Sequence, residues 1–151
     1  MNKKTVREWK KVYQSDLSYI VYEMRDLVKV PAMIILEGPL GAGKTTFVQN
    51  FVGEGEILSP TYSILSEAKN ILHADLYRLE KQEEIIQLEL SLYLEDKQYF
   101  FVEWGMKFAR RIFRELPENF NSYVLDIEIN EASDSPEGPS RNFTLSTLHE
   151  D

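Results

Sequence analysis

The chain of 151 residues has no cysteine, which removes disulfides, thiolate catalysis and zinc–thiolate sites from consideration and means that a reducing compartment costs it nothing. Two histidines, His73 and His149, are too few for a histidine metal cluster. No apolar run approaches the ~18 to 20 residues of a membrane span, and the chain opens on polar and basic residues without an apolar signal core. A cytoplasmic protein with no membrane partner is expected. Positive charge is also scarce: 17 Lys and Arg against 25 Asp and Glu leave a net charge of −8. A free-standing nucleic-acid binder grips phosphates chiefly through Lys and Arg, so this balance argues against one. No Asn-Lys-x-Asp guanine-reading motif and no internal repeat occur.

What is present suits one α/β domain over 1–151, long enough to bury a sizeable core. The charge is uneven. Lys3, Lys4, Arg7, Lys10 and Lys11 make 1–14 a basic N-terminal segment, while Asp126, Glu128, Glu131, Asp134 and Glu137 lie in a stretch without a positive residue. Charge runs of this kind read first as solvated surface and second as docking sites. Leu17, Ile20, Val21, Met24, Leu27 and Val28 recur at helical spacing behind Ser15, a suitable N-cap, so 15–29 reads as an amphipathic helix. Residues 61–66 and 71–74 read as a hairpin turning at 67–70, and 81–90 as an acidic helix. Residues 99–102 read as a buried strand and 106–116 as a helix stopped by Pro117. Alternation from Tyr123 to Ile129 and again from Phe143 predicts a closing strand pair, joined by a polar, mobile loop at 131–141.

The most informative segment is Gly38-Pro39-Leu40-Gly41-Ala42-Gly43-Lys44-Thr45, directly after the apolar run Met33-Ile34-Ile35-Leu36 and before a helix-prone stretch ending at Gly53. It matches G-x-x-x-x-G-K-[ST], a phosphate-binding loop, in the strand–loop–helix setting that motif requires. Chance alone would place the pattern in roughly one chain in two hundred of this size. Gly38, Gly41 and Gly43 permit positive φ and a close approach of backbone to phosphate. Lys44 reaches β- and γ-phosphates, the Thr45 hydroxyl is a Mg²⁺ ligand, and Thr46 supports the first helical turn.

Two acids stand where strands should end, Asp75 after 71–74 and Glu103 after 99–102. A carboxylate there can hold Mg²⁺ or orient an attacking water, although either could be an ordinary solvated strand end. Ser59-Pro60-Thr61-Tyr62 could carry a hydroxyl to a γ-phosphate, but such residues also simply favour turns. Arg78 could pair with phosphate or a carboxylate but reads first as structural, His73 reads as a satisfied core or strand-edge histidine, and Trp104 as packing, with stacking on a planar group the alternative.

Four segments in order, Leu40-Gly-Ala-Gly-Lys-Thr-Thr46, Ser59-Pro-Thr-Tyr62, His73-Ala-Asp-Leu-Tyr-Arg-Leu79 and Val102-Glu-Trp104, closely resemble the bacterial TsaE (YjeE) family over residues 15–130. That family is the ATPase component of tRNA threonylcarbamoyladenosine biosynthesis. The resemblance implies an α/β, P-loop NTPase-like three-layer domain with a central mixed β-sheet flanked by helices. It implies ATP and Mg²⁺ as cofactors, with Gly41, Ala42, Gly43, Lys44, Thr45 and Thr46 around the phosphates, and Thr45 and Glu103 on the metal. Asp75, Lys44 and Thr61 become the residues of hydrolysis, Thr61 as switch and Asp75 as water-orienting base or metal partner. Tyr77 and Arg78 complete the His-x-Asp-x-Tyr-Arg signature, and the base falls near Tyr13 to Ser15. The implied partners are TsaD and TsaB, with tRNA reached through them. Pro39 and Ala74 depart from the usual family residues, and the 131–141 loop looks long. A nucleotide kinase, a GTPase switch or a non-catalytic ATP-dependent docking module are the rival readings. Only Arg110, Arg111 and Arg114 cluster as a kinase lid would demand.

Overall fold

The computed structural model describes residues 1–53, 59–60, 64–131 and 135–151, with only the backbone described at 59–60. Strand β1 (Asn2–Val12) leads through a 3₁₀ turn (Gln14–Asp16) into helix α1 (Leu17–Leu27), followed by β2 (Ala32–Glu37) and α2 (Lys44–Val52). Next come β3 (Ser59–Pro60), β4 (Leu65–Ala68), β5 (Ile71–Asp75), α3 (Gln82–Gln87) and α4 (Leu90–Leu94). Strand β6 (Tyr99–Glu103), a 3₁₀ turn (Met106–Phe108), α5 (Ala109–Glu115), β7 (Asn121–Ile129) and β8 (Arg141–His149) complete the order. The strands form one mixed sheet of eight, ordered β1-β8-β7-β2-β6-β5-β4-β3. β2 runs parallel to both β6 and β7, and β6 parallel to β5, while the outer pairs are antiparallel.

The apolar run of β2 is explained by burial on both faces. Ala32, Ile34 and Leu36 join Ile20 and Met24 of α1 and Phe47 and Phe51 of α2, whereas Met33 and Ile35 pack with Leu90 and Leu94 of α4 and Ile112 of α5. The period of two in a strand sends alternate side chains to opposite layers, so helix–sheet–helix layering follows. Aromatic rings stiffen the α2 layer: Phe51 meets Tyr99 and Phe101 edge-on, at centroid separations of 4.7 and 4.8 Å.

Several local expectations change. The basic segment forms β1, an edge strand against β8 in which only Trp9 and Val12 are buried. Ser15 is not a helix cap. It lies inside the 3₁₀ turn, where its N–H and hydroxyl donate to Glu137 at 3.0 and 3.1 Å, while Asp16 accepts the Tyr13 N–H. The hairpin turn narrows to Lys69–Asn70, since β4 continues to Ala68 and Lys69 takes φ +50°. Of the strand expected at 61–66, residues 61–63 lie outside the described residues. The acidic helix is shorter than expected, ending at Gln87, and a further helix starts after Glu89 turns left-handed at φ +53°. The described part of the 131–141 loop is tied down through Glu137 and, at its end, Arg141.

Candidate functional site

The parallel register gathers the site. β5 and β6 end side by side with Asp75 opposite Glu103, and Leu36 of β2 is also opposite Glu103, so the loop after β2 and both acids share one carboxyl edge. Clefts at the carboxyl ends of parallel strands are where open α/β sheets bind ligands. The loop 38–43 turns on an Ala42 N–H donated to Pro39 O at 3.0 Å, and Gly41 and Gly43 take φ +81° and +101°. Gly38 is needed for a different reason: a Cβ there would stand 2.7 Å from the Ile127 carbonyl oxygen. α2 then starts with the Phe47 N–H donated to Gly43 O at 2.9 Å.

Lys44 is buried, its Nζ donating to Gly38 O at 2.6 Å and lying 3.3 Å from the centre of the Trp104 ring. Burial pushes its pKa down, opposed by attraction to Glu103, Glu37 and Asp75. Trp104 takes φ +61°, a left-handed turn that a bulky residue rarely adopts, directly after β6. Its ring also packs on Tyr77 at 5.1 Å. Thr45 Oγ donates to the Glu103 carboxylate, 3.0 and 2.9 Å from its two oxygens, and His73 Nε2 is 2.6 Å from Glu103 Oε2. Asp75 is exposed, accepting the Tyr77 N–H at 3.1 Å, and it lines a cleft of ≈ 370 Å³ with Lys44, Thr45, Glu103 and Trp104. Just before the loop, half-buried Glu37 accepts from the Met106 N–H. Burial raises its pKa and Asp126 adds to the rise, while the Met106 N–H, Lys44 and Lys3 oppose it.

A second cavity of ≈ 180 Å³ lies on the other side of the loop, bounded by Gly41, Gly43 and Thr46 as the first is, and by Tyr13, Gln14 and Arg141. Arg141 fastens the loop from that side: Nε donates to Ala42 O and Nη2 to Gly41 O, both at 3.1 Å. A trans peptide points its N–H opposite to its C=O. Holding the Ala42 carbonyl therefore aims the Gly43 N–H away from Arg141.

Hard oxygen donors, the Thr45 hydroxyl and the Glu103 carboxylate, suit Mg²⁺. Among the described residues no group of three or more His, Cys, Asp or Glu side chains could enclose a metal ion. The residues expected in the site thus converge, apart from Thr61, which lies outside the described residues. His73 is the satisfied core or strand-edge histidine expected, buried on β5 with Ser66 and Glu103 as partners; sequence reasoning did not foresee that Glu103 is one of them, and it passed over Arg141 and Glu37. The pairing of β5 with β6 could have flagged His73, but nothing local connects Arg141 with a loop about a hundred residues earlier.

A mixed sheet carrying a glycine-rich loop between its central strand and the next helix defines a P-loop NTPase-like α/β protein. A family model described as "Threonylcarbamoyl adenosine biosynthesis protein TsaE" matches residues 12–142. Among curated relatives, the tRNA threonylcarbamoyladenosine biosynthesis protein TsaE of Bacillus subtilis is 33% identical over 135 residues, 84% of this chain and 79% of that one. Those of a Nostoc species and Haemophilus influenzae are 45% and 37% identical over shorter segments, 42% and 50% of this chain. The match spans 44% and 52% of those two proteins, about half their length. The crystal structure of Bacillus subtilis YdiB superposes with a TM-score of 0.59 at 27% identity, covering 99% of this chain and 89% of that one. The chain belongs to the TsaE family, whose name places it in tRNA threonylcarbamoyladenosine biosynthesis. Among the described residues no helix is long and apolar enough to cross a membrane.

Proposed function

We propose that this chain binds Mg²⁺–ATP and hydrolyses it as an accessory to a threonylcarbamoyl-transferase assembly containing TsaD and TsaB. That assembly modifies the adenosine 3′ of the anticodon in tRNAs reading ANN codons, and this chain does not itself transfer the threonylcarbamoyl group. The observation that carries the reading is the Thr45–Glu103 pair, held beside buried Lys44 at a loop whose residues border two cavities. One cavity takes polyphosphate and the other, beside Tyr13 and Gln14, the adenine.

Lys44 leaves the Gly38 carbonyl for the β- and γ-phosphates, where its charge and the loop amides stabilise the oxygens as charge shifts onto them. Thr45 and Glu103 would hold Mg²⁺, which would supply charge neutralisation at the phosphates. Asp75, exposed on the same cleft, orients the attacking water, and Thr61 reports the γ-phosphate as its switch residue. Arg141 keeps the loop's carbonyls turned outward.

Calorimetric titration with Mg²⁺–ATP should show binding that Lys44→Ala abolishes, with slow phosphate release from the isolated chain. Release that depends on Asp75, and no phosphorylated nucleoside product, separates a hydrolase from a docking module and from a kinase. Reconstitution with TsaD, TsaB, threonylcarbamoyl-adenylate and tRNA should cycle repeatedly only with this chain and ATP present. Equal cycling without it would refute the role.

A further inference from the structure

Among the described residues, His73 is the one group besides Thr45 hydrogen-bonded to the Glu103 carboxylate, and the proposed reaction does not use it. It is 7% exposed and Glu103 3% exposed, so neither is adequately solvated by water. Their separation of 2.6 Å is that of a strong, charge-assisted hydrogen bond. With Glu103 ionised, Nε2 must carry the hydrogen and donate it. The opposite ring nitrogen, Nδ1, lies 3.3 Å from the Ser66 hydroxyl. Ser66 and His73 are cross-strand partners on β4 and β5, and His73 stands one strand away from the end of β6. A line Ser66–His73–Glu103–Thr45 thus runs across three adjacent strands to the first turn of α2.

We infer that His73 is a positioning residue for the metal: by donating to Glu103 Oε2 it fixes the carboxylate plane so that the other lone pairs face the Thr45 side of the cleft. Ser66 in turn holds the imidazole ring. The physical need is plain. A carboxylate on a single ion-facing arm can rotate about its last bonds, and an ion sharing only one or two protein oxygens is sensitive to that freedom. Partners that orient a ligating carboxylate typically change metal affinity by about 10- to 100-fold. This inference rests on the Mg²⁺–nucleotide reading above. It adds that the signature histidine acts on the ion's affinity and leaves the nucleotide's grip on the loop unchanged.

The test measures two quantities on the full chain: binding of a non-hydrolysable ATP analogue in EDTA, and Mn²⁺ half-saturation of the nucleotide complex by electron paramagnetic resonance. His73→Phe should raise the Mn²⁺ half-saturation concentration by about 10- to 100-fold, leaving binding in EDTA within about twofold. His73→Gln, whose amide can donate to Glu103, should recover most of the loss. Ser66→Ala should cost about fivefold in Mn²⁺ half-saturation, the worth of one neutral hydrogen bond, and it reads the same line if His73→Phe does not fold. Unchanged Mn²⁺ affinity in folded His73→Phe, or equal losses with and without metal, would overturn the inference. So would Ser66→Ala binding Mn²⁺ as tightly as the parent. A parent protein that binds no nucleotide at all would instead sink the function proposed above.

Discussion

At the scale of single residues, the site combines charges that burial disfavours with neighbours that only partly compensate them. Glu37 shows the sign most clearly. Its folded pKa lies above the unfolded value, so the folded chain holds that proton to higher pH than the unfolded chain does. Its contribution to stability is full below the unfolded pKa and is lost as pH rises through the raised folded value. Glu37→Gln should therefore raise the thermal midpoint near neutral pH and leave it unchanged near pH 4, in parallel melting curves. Arg141 gives a prediction of another kind. Its guanidinium contacts carbonyls of Gly41 and Ala42 and, across its own loop, Pro139. Arg141→Ala releases the loop, and about tenfold weaker nucleotide binding is expected from the loss of charged hydrogen bonds, with little change in fold by circular dichroism.

At the scale of elements, β1 shows how pairing overrides composition. Its exposed positions are rich in Lys and Arg, and Lys3 and Arg7 pair with Asp126 and Glu23 at 3.0 and 2.8 Å. Charged side chains along an edge strand also discourage pairing with another chain. Trp9 is its main apolar anchor, 6% exposed with Nε1 donating to Glu23. Trp9→Ala should cost about 3–5 kcal/mol in denaturant unfolding, as large aromatic truncations in cores do. The strand was not legible because its signal is tertiary: with only Trp9 and Val12 buried, no alternation marks it. By contrast β2, β6 and α2 were legible, since burial on both faces leaves an unbroken apolar run and the glycine loop punctuates it. The break at Glu89 is invisible locally, because a left-handed glutamate carries no compositional mark. Residues that line the candidate site were readable where chemistry limits the residue type, as at Lys44, Thr45, Asp75 and Glu103. They were not where only strand register or a distant loop makes the contact, as for His73 and Arg141.

At the scale of the whole molecule, three parallel strands, β5, β6 and β2, deliver loop, acids and histidine to one edge, and two helical layers hold that edge rigid. The net charge of −8 sets how such a body meets nucleic acid. By itself it should not retard tRNA in a gel at about 0.15 M salt, because too few cations are available to displace the counterions of a polyanion. The two tryptophans of the chain stand far apart in this architecture, Trp9 on the edge strand and Trp104 at the cleft. With an ammonium seated 3.3 Å above its indole, Trp104 doubles as an optical gauge of the lysine's whereabouts. In a Trp9→Phe background, drawing Lys44 off that indole should change its fluorescence, followed by stopped-flow after mixing with Mg²⁺–ATP. Arrival of the proposed nucleotide would then be visible without any attached dye.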